Sequence, residues 1–414
     1  MRLTLKEKRS VTGVVALRYQ KASKKEKRAM LDEFTQLTGY NRCYASHLLA
    51  SHGKQALLNN TRFVAKISKR APHGRQRIYD HNFKSALKMI WVIMDCICGK
   101  RLAPMLKEII TRLEFHQEFS VDDHTRELLL KVSASTIDRL LAYDRKSLNP
   151  LAKARTRPGT LLKSQIPIKT FSDWNEQRPG FVEIDLVAHE GGINSGDFLQ
   201  SLDVTDVCTG WTEVQAVRNK AQIWVFEAIK DIRERLPFEL LGIDSDNGGE
   251  FINNQLLRYC QDQNITFTRS RTSRKNDNCF VEQKNYSVVR RAVGYLRYDS
   301  EQELKLMNEL YSKLRLYTNY YQPVMKLIEK QRVGSKVKKK YDRASTPYER
   351  VMQSREVSEE KKQRLKQEYE GVNPAQIKRE ITSLQNELIK ISSKKDKSKD
   401  EKKVVCVKTA NGKK

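Results

Sequence analysis

Asp185, Asp246 and Glu282 are acids whose order and surroundings suit divalent-metal chemistry. Asp185 follows Phe181-Val182-Glu183-Ile184, Asp246 follows Gly242-Ile243-Asp244-Ser245, and Glu282 follows Asn278-Cys279-Phe280-Val281. Each aspartate belongs to a short β-like run. The glutamate opens an amphipathic helical stretch, and thirty-five residues separate it from Asp246. Hard cations prefer oxygen ligands and keep positions open for phosphate and water. Two such ions, Mg2+ or Mn2+, can activate an attacking oxygen and stabilise a leaving one in phosphoryl transfer. Any one acid at a strand end more often caps a turn or solvates a loop. Three in order within one α/β segment point to a site.

The charge distribution names the polymer that would carry the phosphate. The 414-residue chain has a formal charge of +28, unevenly placed. Residues 179–300 hold 14 Lys and Arg against 18 Asp and Glu, a net of −4. Residues 1–178 carry +19, and residues 331–414 carry +12 from 24 basic and 12 acidic side chains. An acidic centre between basic arms fits a metal site whose flanks hold a polyanion, and double-stranded DNA is the expected partner.

Other classes are disfavoured. The longest apolar run, Met89 to Cys98, is short and broken by Asp95, so no membrane partner is expected. The seven cysteines form no C-x-x-C pair, which argues against structural zinc. Their odd number fits reduced thiols in a cytosol, and DNA as the expected partner would place the protein at a bacterial nucleoid. No G-x-x-x-x-G-K-[ST] loop is present to bind a nucleotide triphosphate.

The elements that must position the acids follow from periodicity. Residues 1–55 read as helices: Ser23 with Glu26 forms a capping box, Met30, Leu31, Phe34 and Leu37 share a face, and Gly39 stops the helix before another at 41–51. This is a helix-turn-helix candidate, or equally an ordinary helical hairpin. Residues 56–80 read as a basic linker. Residues 81–148 read as a second helical DNA-binding region, with Thr136 and Arg139 exposed on its last helix; a plain helical packing domain is the alternative. Residues 149–178 form a second linker.

From residue 179 to 322 the period changes. Runs at 181–189, 198–206, 211–218, 238–244 and 265–268 predict five strands, and helices are expected at 220–235, 250–262, 277–296 and 301–321. A meander followed by alternating helix and strand gives a mixed sheet with flanking helices. Strand alternation puts Glu183 with Asp185, and Asp244 with Asp246, on common faces. Arg269, Arg271, Arg274 and Lys275 make the loop before Glu282 cationic. Residues 323–414 are a basic C-terminal region. Asn373-Pro374 starts a helix whose Ile377, Ile381, Leu384, Leu388 and Ile391 form a short heptad seam. Disorder is expected over 392–403.

The blocks Ile184-Asp185, Ser245-Asp246-Asn247-Gly248-Gly249-Glu250-Phe251 and Val281-Glu282-Gln283-Lys284-Asn285 resemble the catalytic core of the D,D(35)E transposase and retroviral-type integrase superfamily. The resemblance covers about residues 180–321. The run 335–352, with Tyr341-Asp342-Arg343 and Thr346-Pro347-Tyr348, is similar to the end of bacterial insertion-sequence transposases. The absence of a His-His-Cys-Cys module favours that branch. The resemblance implies a ribonuclease-H-like core in a multidomain α and α/β chain. It gives Asp185, Asp246 and Glu282 catalytic, metal-binding roles, with Asp244 a competitor for the second. It implies cleavage at element ends and joining of a 3′-hydroxyl to target DNA by a homo-oligomer on the DNA. Lys284 and Arg290 are expected to touch DNA phosphates. A metal-dependent nuclease without joining, or an inactive DNA-binding repressor, would share parts of this pattern.

Overall fold

The computed structural model describes residues 3–53, 56–58, 61–63, 78–146, 178–193, 195–270 and 278–410. The linkers expected at 56–80 and 149–178 fall largely outside these residues, as do Arg271, Arg274 and Lys275. The chain divides into two compact units, residues 1–78 and 79–414.

The first unit holds α1 (Leu5–Lys21), α2 (Lys24–Thr38), α3 (Arg42–Ser51) and a hairpin of β1 (Ala56–Leu58) and β2 (Thr61–Phe63). Thr4 and Ser23 each close a capping box, with Glu7 and Glu26, and Asn41 caps α3 through the Cys43 N–H. Gly39 ends α2 at φ +68°, a conformation that costs a residue without Cβ little. Ala16, Tyr19, Leu31, Phe34, Ala45 and Leu49 make the core. Leu37, expected on that face, is exposed. Thr38 is buried in its stead, its hydroxyl donating to the Phe34 carbonyl at 2.6 Å.

The second unit opens with α4 (His81–Ile93), α5 (Gly99–Phe115), α6 (Asp123–Lys131), α7 (Ala134–Leu140) and α8 (Ala142–Lys146). Then come β3 (Phe181–Ala188), β4 (Gln200–Asp206), β5 (Thr212–Val217), α9 (Gln222–Arg235), β6 (Gly242–Ser245), α10 (Asn254–Asp262) and β7 (Thr266–Arg269). The five strands lie in the order β5-β4-β3-β6-β7; the first three form an antiparallel meander, and β6 and β7 run parallel to β3. This is a mixed α/β sheet. Next are α11 (Cys279–Lys284), a π-helical turn (Asn285–Arg290), α12 (Arg291–Val293) and α13 (Glu301–Tyr321). The tail forms a two-stranded ribbon, β8 (Leu327–Val333) and β9 (Lys336–Tyr341), then α14 (Pro347–Gln353), α15 (Glu359–Gly371) and α16 (Pro374–Ala410).

Helices α4 to α7 share one hydrophobic core with the sheet, so residues 81–141 are built into this unit. Tyr317 of α13 donates to the Ile93 carbonyl at 2.5 Å, and Arg112 of α5 donates to the carbonyls of Tyr369, Glu370 and Val372 at 2.7–3.1 Å. At α7, the Gly99 N–H donates to Asp138 at 2.8 Å, and a Cβ on Gly99 would stand 2.1 Å from the Ala134 carbonyl oxygen. Glycine is required at that crossing.

The heptad seam is also internal. Ile377, Ile381 and Leu388 are buried within the common core, against which Leu384 and Ile391 pack. Gln385 donates to the Ala292 carbonyl at 2.8 Å. The seam is two heptads long, and its apolar stripe is taken up inside the unit. The helix runs on to Ala410, through the stretch where disorder was expected.

Candidate functional site

Register brings the acids together. In the parallel pair, Glu183 lies opposite Asp244 and Ile184 opposite Ser245. One residue further, Asp185 reaches the level at which β6 ends and Asp246 begins. On the other side of β3, Asp185 lies directly opposite Asp203 of β4. Like charges opposite one another destabilise a sheet. Here they line one face of three adjoining strands.

The turn after β6 is fastened by its own polar groups. Gly248 donates its N–H to Asp246 Oδ1 at 2.8 Å. Asn247 donates to the Ser270 carbonyl at 2.8 Å and accepts from Arg269 at 3.0 Å. A Cβ on Gly248 would come within 2.6 Å of the Glu250 carboxyl carbon and 2.9 Å of Asp246 Oδ1. The turn therefore needs glycine to let both carboxylates approach.

Glu282 sits in the first turn of α11, and three acids hold that helix to the sheet. Glu183 Oε2 accepts from the N–H groups of Phe280 and Val281, at 2.8 and 2.9 Å. Two orphan donors of the helix N-terminus are thus met by a carboxylate from the neighbouring strand. The Asn278 amide donates to Asp244 Oδ2 and accepts from the Asp246 N–H, both at 3.1 Å. Asn285, in the π-helical turn, donates to Asp185 Oδ2 at 2.6 Å. Such a turn shifts side chains off the regular helical face, and here it aims an amide at an acid.

Electrostatics record the crowding. Asp185 is pushed up to about 7, first by burial and then by the Asp246 carboxylate, with Glu282 adding to it. Glu183 is raised well above the carboxylate range by burial, with Asp244 and Glu282 contributing against its two N–H donors. Glu250 is raised by burial and by Asp246. Asp203 and Lys284 face each other: burial raises the acid and lowers the base, and each partly offsets the other's shift.

The donor set fits a hard cation. Carboxylates of both strands and the helix repel one another, and buried Glu183 Oε1 and Asp203 Oδ2 have no hydrogen-bond partner among the described residues. No three acids, imidazoles or thiols among the described residues converge on a single point that would hold an ion.

Other expected contacts lie elsewhere. Lys284 is buried, directed to Asp203 rather than to solvent. Arg290 is half-buried and donates to the Ala188 carbonyl at 2.9 Å and Gly294 carbonyl at 3.3 Å. Both cations are engaged within the fold. Thr136 is half-buried and occupied by the Ser133 cap of α7, while Arg139 is exposed. Asp244 is fully buried and accepts from Thr268 and Asn278, the surroundings of a structural acid. Sequence reasoning placed Glu183 on the right face but did not find that it anchors the helix. Asn285 was also missed, although its position three residues after Glu282 puts it on the same helical face.

No family model matches the chain. It is 36% identical over 342 residues to an uncharacterized protein, y4rM, of Sinorhizobium fredii (strain NBRC 101917 / NGR234); the match covers 82% of this chain and 93% of that protein. Among solved structures, it matches the catalytic core domain of BIV integrase at 17% identity and a TM-score of 0.28, covering 41% of this chain and 91% of that one. It also matches the HTLV-2 integrase catalytic core domain, solved in complex with magnesium, at 15% identity and a TM-score of 0.26, covering 35% of this chain and 90% of that one.

Proposed function

This chain belongs to the family of the uncharacterized Sinorhizobium fredii protein y4rM, and because that name carries no activity, we propose a function from the site itself. The reading is a DNA transposase with a ribonuclease-H-like core, of the bacterial insertion-sequence kind. It cuts at element ends and joins the 3′-hydroxyl to target DNA. One observation carries it: Asp185, within β3, stands level with Asp246 where the neighbouring parallel strand β6 ends, and the helix bearing Glu282 is tied to that face by Glu183, Asn278 and Asn285.

Asp185, Asp246 and Glu282 would hold the divalent ions. When bound, these supply Lewis-acid polarisation of phosphoryl oxygens and neutralise charge on the attacking and leaving oxygens. The chain's own residues do the rest. Glu183 fixes the height of Glu282 above the sheet through two backbone N–H groups. Asn285 orients the Asp185 carboxylate. Gly248 lets the Asp246 turn close with the Asp246 and Glu250 carboxylates drawn against it. Cleavage and joining are both in-line displacements at phosphorus, so one site serves both. The basic flanks would hold the DNA, with residues 1–55 and exposed Arg139 of α7 offered for contact with element ends.

A strand-transfer assay tests the reading. It uses a labelled double-stranded element end, a plasmid target and Mg2+, and expects label on the plasmid. Cleaved end without joined product would identify a nuclease. Binding without either product would identify a repressor.

A further inference from the structure

A cavity of about 290 Å3 lies where α5, the π-helical turn, α13 and α16 meet, and its wall includes none of Asp185, Asp246 or Glu282. Arg101, Lys284, Arg291 and Lys378 line it, and Asp95 is the one carboxylate among the described lining residues. Asp95 is already shared: Oδ2 lies 2.7 Å from Arg291 Nη2 and Oδ1 lies 2.8 Å from Lys378 Nζ. Lys284 is buried and faces Asp203 from beyond the wall. Arg101 spends its guanidinium on neutral oxygens, Nε donating to the Pro323 carbonyl at 2.5 Å and Nη2 to Gln322 Oε1 at 3.3 Å. Counting Asp95 and Asp203 against the four cations, two positive charges remain in excess.

Uncompensated like charges at a partly desolvated wall are costly, and a bound counter-ion removes that cost. The charge calls for a dianion. Arginine forks match phosphate oxygens in geometry, and the cavity is larger than a halide needs. We propose that this cavity binds a phosphoryl anion, a phosphate or pyrophosphate group that is either free or the terminal phosphate of a nucleic-acid strand. Its ligands come from three segments: Arg101 from α5, Arg291 from the helix continuing from Glu282, and Lys378 from α16. Occupancy would draw those segments together and set the position of the Glu282 helix from its far end. The proposal does not depend on the transposase reading.

Calorimetric titration of the full chain tests it, in EDTA so that no metal bridges to phosphate, and at constant ionic strength. Inorganic pyrophosphate should bind with one-to-one saturation. Arg101→Gln should weaken binding roughly tenfold, the loss of one charge-assisted contact. Lys378→Gln should weaken it severalfold, and it is the deciding variant if Arg101→Gln does not fold. Arg126→Gln, which breaks a surface pair with Glu114, should change nothing. A 5′-phosphorylated dinucleotide and its 5′-hydroxyl counterpart separate the sources: tighter binding of the phosphorylated form than of pyrophosphate assigns a strand end, and the reverse assigns a free anion. No saturable binding of any phosphate probe, or equal affinity in the wild type, Arg101→Gln and Lys378→Gln, overturns the proposal. Because no metal is present, that failure leaves the reading of the acid site untouched.

Discussion

Asp206 and Asp185 are acids on the same antiparallel pair of strands, and their surroundings are opposite. Asp206 ends β4 with its carboxylate held by three donors: the Gly180 N–H at 2.8 Å and the Thr209 N–H and hydroxyl, both at 2.6 Å. Burial pushes it up to about 6, and these donors restrain the shift. Asp185 accepts from the Leu186 N–H and from Asn285, yet it faces Asp203 across the strand pair and is raised further by Asp246 and Glu282. The first acid is satisfied by the fold and holds a turn. The second stands among acids that the fold does not neutralise, and in the proposed site a divalent cation would offset that repulsion. Buried carboxylates alone do not mark a site. Buried carboxylates that face one another do.

The largest effect expected from this contrast is on activity. Asp185→Asn, Asp246→Asn and Glu282→Gln should each lower cleavage and joining on the order of a thousandfold, as the loss of a group acting in the transition state does. Binding of element-end DNA and the circular dichroism spectrum should stay near those of the wild type. Near-normal strand transfer by any one variant would remove that residue from the set. Asp206→Ala should behave in reverse. It strands two backbone N–H groups, so it should lose about 3 kcal/mol of stability in urea unfolding while keeping the turnover of the folded fraction. Equal loss of turnover in Asp206→Ala would erase the distinction between the two acids.

Glu183 lies between these extremes. Its carboxylate holds the helix N-terminus, so in the proposed site it would act as a positioning residue. Glu183→Ala should lower turnover roughly ten- to a hundredfold, as loss of an outer partner of a metal ligand does. Glu183→Gln keeps an acceptor oxygen and should recover most of the activity. If alanine and glutamine lowered turnover equally, the capping role would be wrong.

Much of the sheet was legible because its signals are local. Alternation and turns placed all five strands within a few residues, and the capping box at Ser23 and the Asn373-Pro374 cap marked helix starts that the structure keeps. β6 begins at Gly242, not at 238, because strand length is set by pairing with β3, which starts at Phe181. The neighbourhood of Asp185 and Asp246 was legible through spacing and periodicity together. What was not legible depends on tertiary partners. Lys284 looked like a surface cation because nothing in its own segment reveals Asp203 on β4. The heptad stripe left its partner open because an apolar face does not say whose surface it will meet. Its partners are in the same chain.

The smallest expected effect sharpens the contrast with a buried base. His189 follows β3, fully buried, its Nε2 2.7 Å from the Ser201 hydroxyl, which lies 2.6 Å from the Tyr311 hydroxyl. Arg290 faces it from the π-helical turn, and Tyr298 packs against its ring. No carboxylate among the described residues contributes to its shift. Burial first, and then Arg290, lower it from its ordinary 6.5 to about 3. The unfolded chain therefore takes up a proton below pH 6.5 that the folded chain refuses, and stability falls as pH drops from 6.5 towards 3. At pH 5 that penalty is about 2 kcal/mol relative to pH 7.5. His189→Gln has no such proton to gain. Urea unfolding at the two pH values should show the gap between wild type and variant shifting by about 2 kcal/mol in the variant's favour at pH 5. Comparing the gap rather than either stability cancels the titration of Asp206 and the other acids, which both proteins share. A constant gap would mean that His189 takes up its proton within the fold, so that the end of β3 beyond Asp185 is open to water rather than sealed.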